Sequence, residues 1–260
     1  MLKIENVCKT FNPGTVNAKT ALEDLSLTLN EGDFVTVIGG NGAGKSTMLN
    51  TIAGTYRVDS GKILIDGKDV TRLPEYKRAV YIGRVFQDPM LGTAPTMQID
   101  ENLALAARRG KFRGLGWGIT RAEREHYREL LRDLDLGLED RMSSRVGLLS
   151  GGQRQALTLL MASLKKPKVL LLDEPFSALD YQTRLAVSAD IYRIIRQEGK
   201  TALLVTHDIS EAISLSDRVV VLSHRPAVVK SIHRLTQLQG VPPLQRRDHP
   251  AFAGYFKSIW

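Results

Sequence analysis

Gly39-Gly40-Asn41-Gly42-Ala43-Gly44-Lys45-Ser46 matches the pattern G-x-x-x-x-G-K-[ST] at every position. Glycines let the backbone curl until its N–H groups point inward at phosphate oxygens. A helix opening at the same place adds the positive end of its dipole. Lys45 is then expected to reach the β- and γ-phosphates of a nucleotide, and the Ser46 hydroxyl to hold Mg²⁺. Thr47 is expected to add a phosphate contact. The plain alternative is a Gly-rich turn with an exposed lysine, and the complete match argues against it. A second group lies downstream. Asp173 and Glu174 end an apolar run, Lys168-Val169-Leu170-Leu171-Leu172-Asp173. Carboxylates at the C-terminal end of a strand face the crevice where ligands bind. Asp173 is expected to hold Mg²⁺ through water, and Glu174 to polarise an attacking water as general base. Alone, such a pair reads as a solvated strand end; beside a phosphate loop it reads as chemistry.

These groups need elements to position them. Phe34-Val35-Thr36-Val37-Ile38 is β-branched and apolar, a buried strand that delivers the chain into the phosphate loop. Ser46 to Ala53 reads as the helix behind it, stopped by Gly54. Apolar and polar residues alternate from Leu25 to Leu29, the period of a half-buried strand. Lys62-Ile63-Leu64-Ile65 and Lys68-Asp69-Val70 flank Asp66-Gly67, a hairpin turn. Buried strands are also expected at 168–173, 201–206 and 218–222, with helices from Gly152 to about Lys165 and from Leu185 to Glu198. Strands alternating with helices imply an α/β layered fold. The stretch from Asp100 to Leu136 is helical and Arg-rich, broken by a glycine loop from Gly110 to Gly118, and reads as an insertion into that fold.

Length and composition narrow the classes. The chain has 260 residues, 43% hydrophobic and 25% charged, which suits a globular protein and excludes disordered and fibrous ones. Lys+Arg 36 against Asp+Glu 28 gives a net charge of +8, which admits an anionic partner. A single cysteine, Cys8, excludes an intramolecular disulfide framework and is expected to be a small buried hydrophobe in a reducing compartment. Residues 1–6 lack the apolar stretch of a signal peptide. No run of about 18 apolar residues occurs, so any membrane path must come from another chain.

Leu149-Ser150-Gly151-Gly152-Gln153 lies between the phosphate loop and the acidic strand end. With it the chain resembles the ATP-binding cassette (ABC) ATPases, over roughly residues 1 to 225. The other motifs follow in family order. Gln87 resembles the Q-loop glutamine, Ser177-Ala178-Leu179-Asp180 the D-loop, and His207 the switch histidine. Phe11 sits where the family places an aromatic that stacks on adenine. The resemblance implies a P-loop (RecA-like) α/β core with an N-terminal antiparallel β subdomain and an inserted α-helical subdomain. Its expected bounds are a cassette over 1–235, with the core at 1–88 and 160–235, the insertion at about 89–159, and a tail at 236–260. It also implies ATP and Mg²⁺ as cofactors, with Gln87 joining Ser46 and Asp173 around the metal. Two copies would dimerise head to tail, the phosphate loop of one facing Ser150, Gly151, Gly152 and Gln153 of the other across ATP. His207 would contact the γ-phosphate and help orient the water, and Asp180 would couple the protomers.

One phosphate loop and one signature require a second copy or a paralogue. The absence of membrane helices implies separate permease subunits and, indirectly, a substrate-binding protein, as in bacterial importers. The place of work would be the cytoplasmic face of the inner membrane. The segment Thr206 to Val219 is similar to importer cassettes for small organic solutes such as nitrate, sulfonate and taurine. Phe86 to Met97 is closer to a group associated with amino-acid uptake, so the expectation is a small solute. The alternatives are an exporter or a lipid- or lipoprotein-extracting ATPase. Nucleic acid is not expected. Arg108, Arg109, Lys111, Arg113, Arg121, Arg124, Arg128 and Arg132 are interleaved with Glu123, Glu125 and Glu129, the pattern of a solvated face laced with local ion pairs. Permease coupling helices are expected near residues 83 to 105, on exposed Met90, Leu91 and Met97. In the tail, Phe252, Tyr255, Phe256 and Ile259 recur at helical spacing and are expected to pack onto the cassette.

Overall fold

The computed structural model describes residues 1–111, 118–177, 179–197 and 199–260. The middle of the expected glycine loop, with Arg113, lies outside the described residues, as do Ala178 and Glu198. The N-terminal part runs β1 (Leu2–Phe11), β2 (Lys19–Leu29), β3 (Phe34–Ile38), α1 (Lys45–Ala53), β4 (Ser60–Ile65), β5 (Lys68–Asp69), α2 (Glu75–Arg78) and β6 (Ile82–Val85). The middle contributes α3 (Ile99–Ala107), α4 (Arg121–Arg132) and α5 (Gly151–Ser163). Then follow β7 (Val169–Asp173), α6 (Tyr181–Gln197), β8 (Thr201–Val205), α7 (Ile209–Leu215), β9 (Arg218–Leu222) and β10 (Val229–Arg234). The chain closes with α8 (Pro243–Arg246) and α9 (Ala251–Ile259).

Two sheets carry the fold. One is antiparallel, in the order β2-β1-β4-β5, and the Asp66-Gly67 turn joins its last pair. Both turn residues have positive φ (54° and 77°), as a two-residue hairpin turn requires. The other sheet has the order β10-β9-β3-β8-β7-β6. Its strands are parallel except for β10, which pairs antiparallel with β9 at the edge. The central strands β3, β7 and β8 are apolar and buried because both faces are covered. One apolar cluster (Leu2, Leu29, Val37, Leu49, Ile63, Val205) lies between the sheets and α1. A second (Phe34, Leu172, Phe176, Ile191, Leu204) lies on the opposite face, under α5 and α6. A third is built within 99–161 from Ile99, Leu103, Tyr127, Leu131 and Leu157, so the helical region has its own core.

The structure differs from expectation in several places. Helix α6 begins at Tyr181 rather than Leu185, because the Asp180 carboxylate accepts a hydrogen bond from Thr183 N (3.0 Å) and caps the turn. Helix α7 lies in a segment read only for its chemistry, and Asp208 caps it through Glu211 N (3.1 Å). Cys8 is half-buried, not core: β1 is bulged around it, and its sulfur accepts from Asp24 N (3.3 Å). The tail does pack as expected. Ile259 is buried against Ile38, Ile213 and Leu238, with Phe252, Tyr255 and Phe256 alongside. The basic helical region carries the pairs Arg108–Glu123, Arg124–Asp100 and Arg128–Glu125.

Candidate active site

Four parallel strands of one sheet end on the same side. The phosphate loop follows β3, Gln87 follows β6, Asp173 ends β7 with Glu174 behind it, and His207 follows β8. Because β3, β8, β7 and β6 are neighbours in that order, the C-terminal ends of all four open into one crevice. The sheet order thus converts residues more than a hundred positions apart into one site.

The phosphate loop is tightly made. Gly44 has φ 88° and caps α1, and a Cβ there would come within 2.8 Å of the Ala21 carbonyl oxygen. Lys45 is buried, and its Nζ donates to the carbonyls of Gly39 (2.7 Å) and Gly40 (3.1 Å). Burial pulls the lysine pKa down, while the carboxylates of Glu174 and Asp173 push it back up. Asp173 shows the converse: burial raises its carboxyl pKa, opposed by the cations of Arg84 and Lys45.

Glu174 occupies the middle. Its backbone has φ 42°, an uncommon conformation for a residue with a Cβ, held by Glu174 N donating to the Val205 carbonyl (2.9 Å). Its Oε2 lies 3.1 Å from His207 Nδ1 and accepts from Gln87 Nε2 at 3.4 Å. The residues expected to do catalysis are therefore in mutual contact. An open cleft of ≈ 850 Å³ adjoins them, lined by Ser46, Asn50, Arg84, Gln87 and Asp173 among others. Ser46, Gln87 and Asp173 bring hydroxyl, amide and carboxylate oxygens to one cleft, the hard donors that Mg²⁺ takes while keeping water and substrate phosphates as further ligands. A cation there would also offset the burial of Asp173, so the residues fit the metal.

Other expected site residues lie apart. Ser150 and Gln153 form a capping box on α5: Ser150 Oγ accepts from Gln153 N and the Gln153 side chain accepts from Ser150 N, both 3.2 Å. Gln153 also donates to the Leu136 carbonyl (3.3 Å). Among the described residues, no hydrogen bond joins this segment to the phosphate loop. Gly151 is exposed at the helix start, while Gly152 faces inward, where a Cβ would meet Thr183 Cγ2 at 2.7 Å. Asp180 is exposed, and its carboxyl pKa is lowered by the hydrogen bonds with Thr183. Phe11 ends β1, edge-on to Tyr56 (5.3 Å between centroids), with Lys9 Nζ 5.6 Å from its ring.

Arg84 escaped the sequence reading. Its guanidinium donates to Asn50 Oδ1 (2.7 Å) and lies 4.4 Å from the Phe86 ring, linking α1 to the residue before Gln87. A cation inside the apolar run Ile82–Val85 was the available signal. Glu211 also escaped it. Buried in the first turn of α7, it accepts from Thr206 Oγ1 (2.9 Å), and burial pushes its pKa up to about 7.

A family model described as ABC transporter matches residues 22–177, more than half of the chain. The chain belongs to the ABC transporter family. It is 43% identical over 232 residues to the tyrosine transport ATP-binding protein of Clostridioides difficile, covering 89% of this cassette and 92% of that protein. It is 39% identical over 223 residues to the spermidine/putrescine import ATP-binding protein PotA of Haemophilus influenzae, covering 85% of this cassette and 55% of the relative. Among solved structures, a dimeric post-hydrolysis state of the ATP-binding cassette MJ0796, bound to ADP and Pi, superposes with TM-score 0.76 at 31% identity, covering 90% of this chain and 99% of that one. The ATP-binding cassette MJ1267 in its ADP conformation matches at TM-score 0.76 and 23% identity, covering 99% and 98%, which bears on the fold alone. The expected fold is therefore borne out: an antiparallel β subdomain on an α/β P-loop core, with the ABC cassette architecture. The cassette binds ATP and hydrolyses it to drive transport. Among the described residues, no helix is long and apolar enough to cross a membrane.

Proposed function

We propose that this cassette is the motor of an importer whose permease subunits are separate chains, and that it works as a head-to-tail dimer at the cytoplasmic face of the inner membrane. The observation that carries the mechanism is the convergence of Gln87 and His207 on one oxygen of Glu174, whose charge is felt by Lys45 of the phosphate loop. In this reading Gly39 to Thr47 cradle the phosphates, Lys45 leaves its two carbonyls for the β- and γ-phosphates, and Phe11 takes the adenine face. Ser46, Asp173 and Gln87 would hold Mg²⁺, which would supply charge neutralisation at the phosphates. Glu174 accepts the proton of the attacking water, and His207 orients that water and steadies the γ-phosphate. Positioning and charge supply the rate.

Ser150 and Gly151 stand at the exposed start of a thirteen-residue helix. That helix end suits the γ-phosphate held by a second copy, with Asp180 beside the junction. ATP then joins the two copies, and loss of the γ-phosphate contact releases them. The dimeric cassette at 31% identity supports this arrangement.

An amino acid is the solute class best supported, through the tyrosine transport relative that aligns over 92% of its own length. Permease coupling helices would dock at the groove beside Gln87. A cavity of ≈ 270 Å³ lies there, lined by Phe86, Leu91, Gly92, Ala106 and Met161 among others. Met90 and Leu91 are exposed beside it, whereas Met97 is half-buried.

Co-purification from the native membrane, with a tag on this chain and mass spectrometry of its companions, tests the reading. A permease and a solute-binding protein are expected. A lipoprotein-extracting or exporter partner would overturn the importer role and leave the ATPase intact.

A further inference from the structure

We propose that Arg225 is a positioning residue for the phosphate loop, and that residues 223–228 form its outer buttress. The proposal rests on the reading of Gly39 to Ser46 as the phosphate cradle.

The connection between β9 and β10 lies along the outside of that loop. Three alternate glycines of the loop abut three residues of the connection in chain order. A Cβ on Gly40 would meet His224 Cε1 at 3.2 Å, one on Gly42 would meet Arg225 Nη2 at 3.4 Å, and one on Gly44 would meet Ala227 Cβ at 3.0 Å. Arg225 Nε donates to the Gly42 carbonyl oxygen at 3.1 Å. The connection is itself rigidly held. Ser223 N donates to the Val228 carbonyl (3.0 Å), and Ser223 Oγ accepts from Val228 N (3.0 Å). Ala227 N donates to the Ala21 carbonyl (2.9 Å), and Glu23 N donates to the Ala227 carbonyl (3.1 Å), which ties the connection to β2.

The consequence is geometric. In a trans peptide the C=O and the following N–H point in opposite directions. A cation holding the Gly42 carbonyl from outside therefore turns the Ala43 N–H inward, where it donates across the loop to the Gly40 carbonyl (3.1 Å). Glycine peptides are costly to order, and a phosphate binding to an unbraced loop must meet that cost. A braced loop has already met it, which is preorganisation. Arg225 also forms no ion pair among the described residues, so it adds a solvent-facing cation beside the loop.

The test is calorimetric titration of the full chain with ADP, paired with ATPase kinetics and the unfolding temperature without nucleotide. Arg225→Ala is expected to weaken ADP binding about tenfold, the size of a lost hydrogen bond to a charged donor. The effect should fall on KM for ATP more than on kcat. The nucleotide-free unfolding temperature should not move, and Arg225→Lys, which keeps a charged donor, should recover most of the affinity. Arg225→Met keeps the aliphatic length without the donor and should behave as Arg225→Ala. Unchanged ADP affinity in both variants overturns the proposal while the phosphate-loop reading stands. Failure of both to fold makes Arg225 a purely structural residue and overturns it too. If the unaltered chain binds no ADP, or Lys45→Ala binds it equally well, the phosphate-loop reading fails and takes this inference with it.

Discussion

His207 Nδ1 lies 3.1 Å from Glu174 Oε2, so the residues that follow two adjacent strands, β7 and β8, meet side chain to side chain over the crevice. The same oxygen accepts from Gln87, which follows β6. A change at Glu174 is thereby felt by both neighbours, and both neighbours fix where its carboxylate points.

Glu174→Gln is the sharpest probe of that arrangement. The amide keeps the size and one acceptor but cannot take a proton from water. Turnover should fall about 100-fold or more, the range for a lost general base. ATP binding should survive, and the ATP-bound dimer should accumulate. Size-exclusion chromatography with ATP and a phosphate-release assay check both. Ordinary turnover in the variant would remove Glu174 from the role of base.

Much of this site was legible because its motifs are local. The phosphate loop, the Asp173-Glu174 pair and the Ser150–Gln153 segment each show their chemistry within a few residues. Ser150 and Gln153 even spell a helix capping box in sequence. Asp180 looks in sequence like a coupling residue, yet it caps α6, which therefore begins four residues before the expected Leu185. Arg84 and Arg225 were not legible, since their partners, Asn50 and Gly42, are 34 and 183 positions away. Only the sheet order brings them together. Glu211 was hidden differently. It belongs to a short helix whose residues carry a family likeness, and nothing in composition shows that its carboxyl is buried.

Met90 tests the docking surface. It is exposed beside the groove, outside the contacts that hold Glu174, Gln87 and His207. Met90→Glu places a charge where an apolar partner helix would sit, which costs association free energy. ATP hydrolysis by the purified chain should stay within about twofold, a change of roughly 0.4 kcal/mol. Solute uptake by vesicles carrying the whole transporter should drop about tenfold. Uptake at the original level would move the docking site elsewhere.

Glu211 makes stability depend on pH. Burial is the main cause of its raised pKa, with the carboxylates of Asp208 and Glu174 adding to it; the Thr206 hydroxyl and the Arg184 cation oppose it. The folded state holds this proton up to about pH 7, while the unfolded chain releases it near 4.5. Between these values the folded protein binds more protons, so stability is full below pH 4.5 from this group and falls as pH rises through 7. The loss above pH 7 is on the order of 3 kcal/mol at most. Glu211→Gln should flatten that slope and leave the variant more stable than the parent at pH 8. Urea unfolding at pH 5.5 and pH 8 checks it; parallel pH profiles would mean that Glu211 is already ionised when folded.

Arg78 secures the far end of the phosphate-loop helix. It is 1% exposed, and its guanidinium donates to the carbonyls of Thr51 (2.7 Å), Ile52 (2.8 Å), Thr71 (2.8 Å) and Leu73 (2.8 Å). Two of these carbonyls belong to α1, whose last turn has no other basic residue. Burial lowers the arginine pKa, yet a guanidinium stays protonated, so the site holds a cation stabilised mainly by carbonyl dipoles, with Asp69 helping from a distance. Gly54 is part of the same device: a Cβ there would come within 2.7 Å of Arg78 Nε. Arg78→Ala leaves four carbonyls short of a donor and opens a cavity, for a loss of about 3 kcal/mol or more. Arg78→Lys carries the charge but cannot span four acceptors, and should recover less than half of that loss. The urea midpoint reads both. A cost under about 1 kcal/mol would mean that water replaces the guanidinium and that the clamp contributes little to stability.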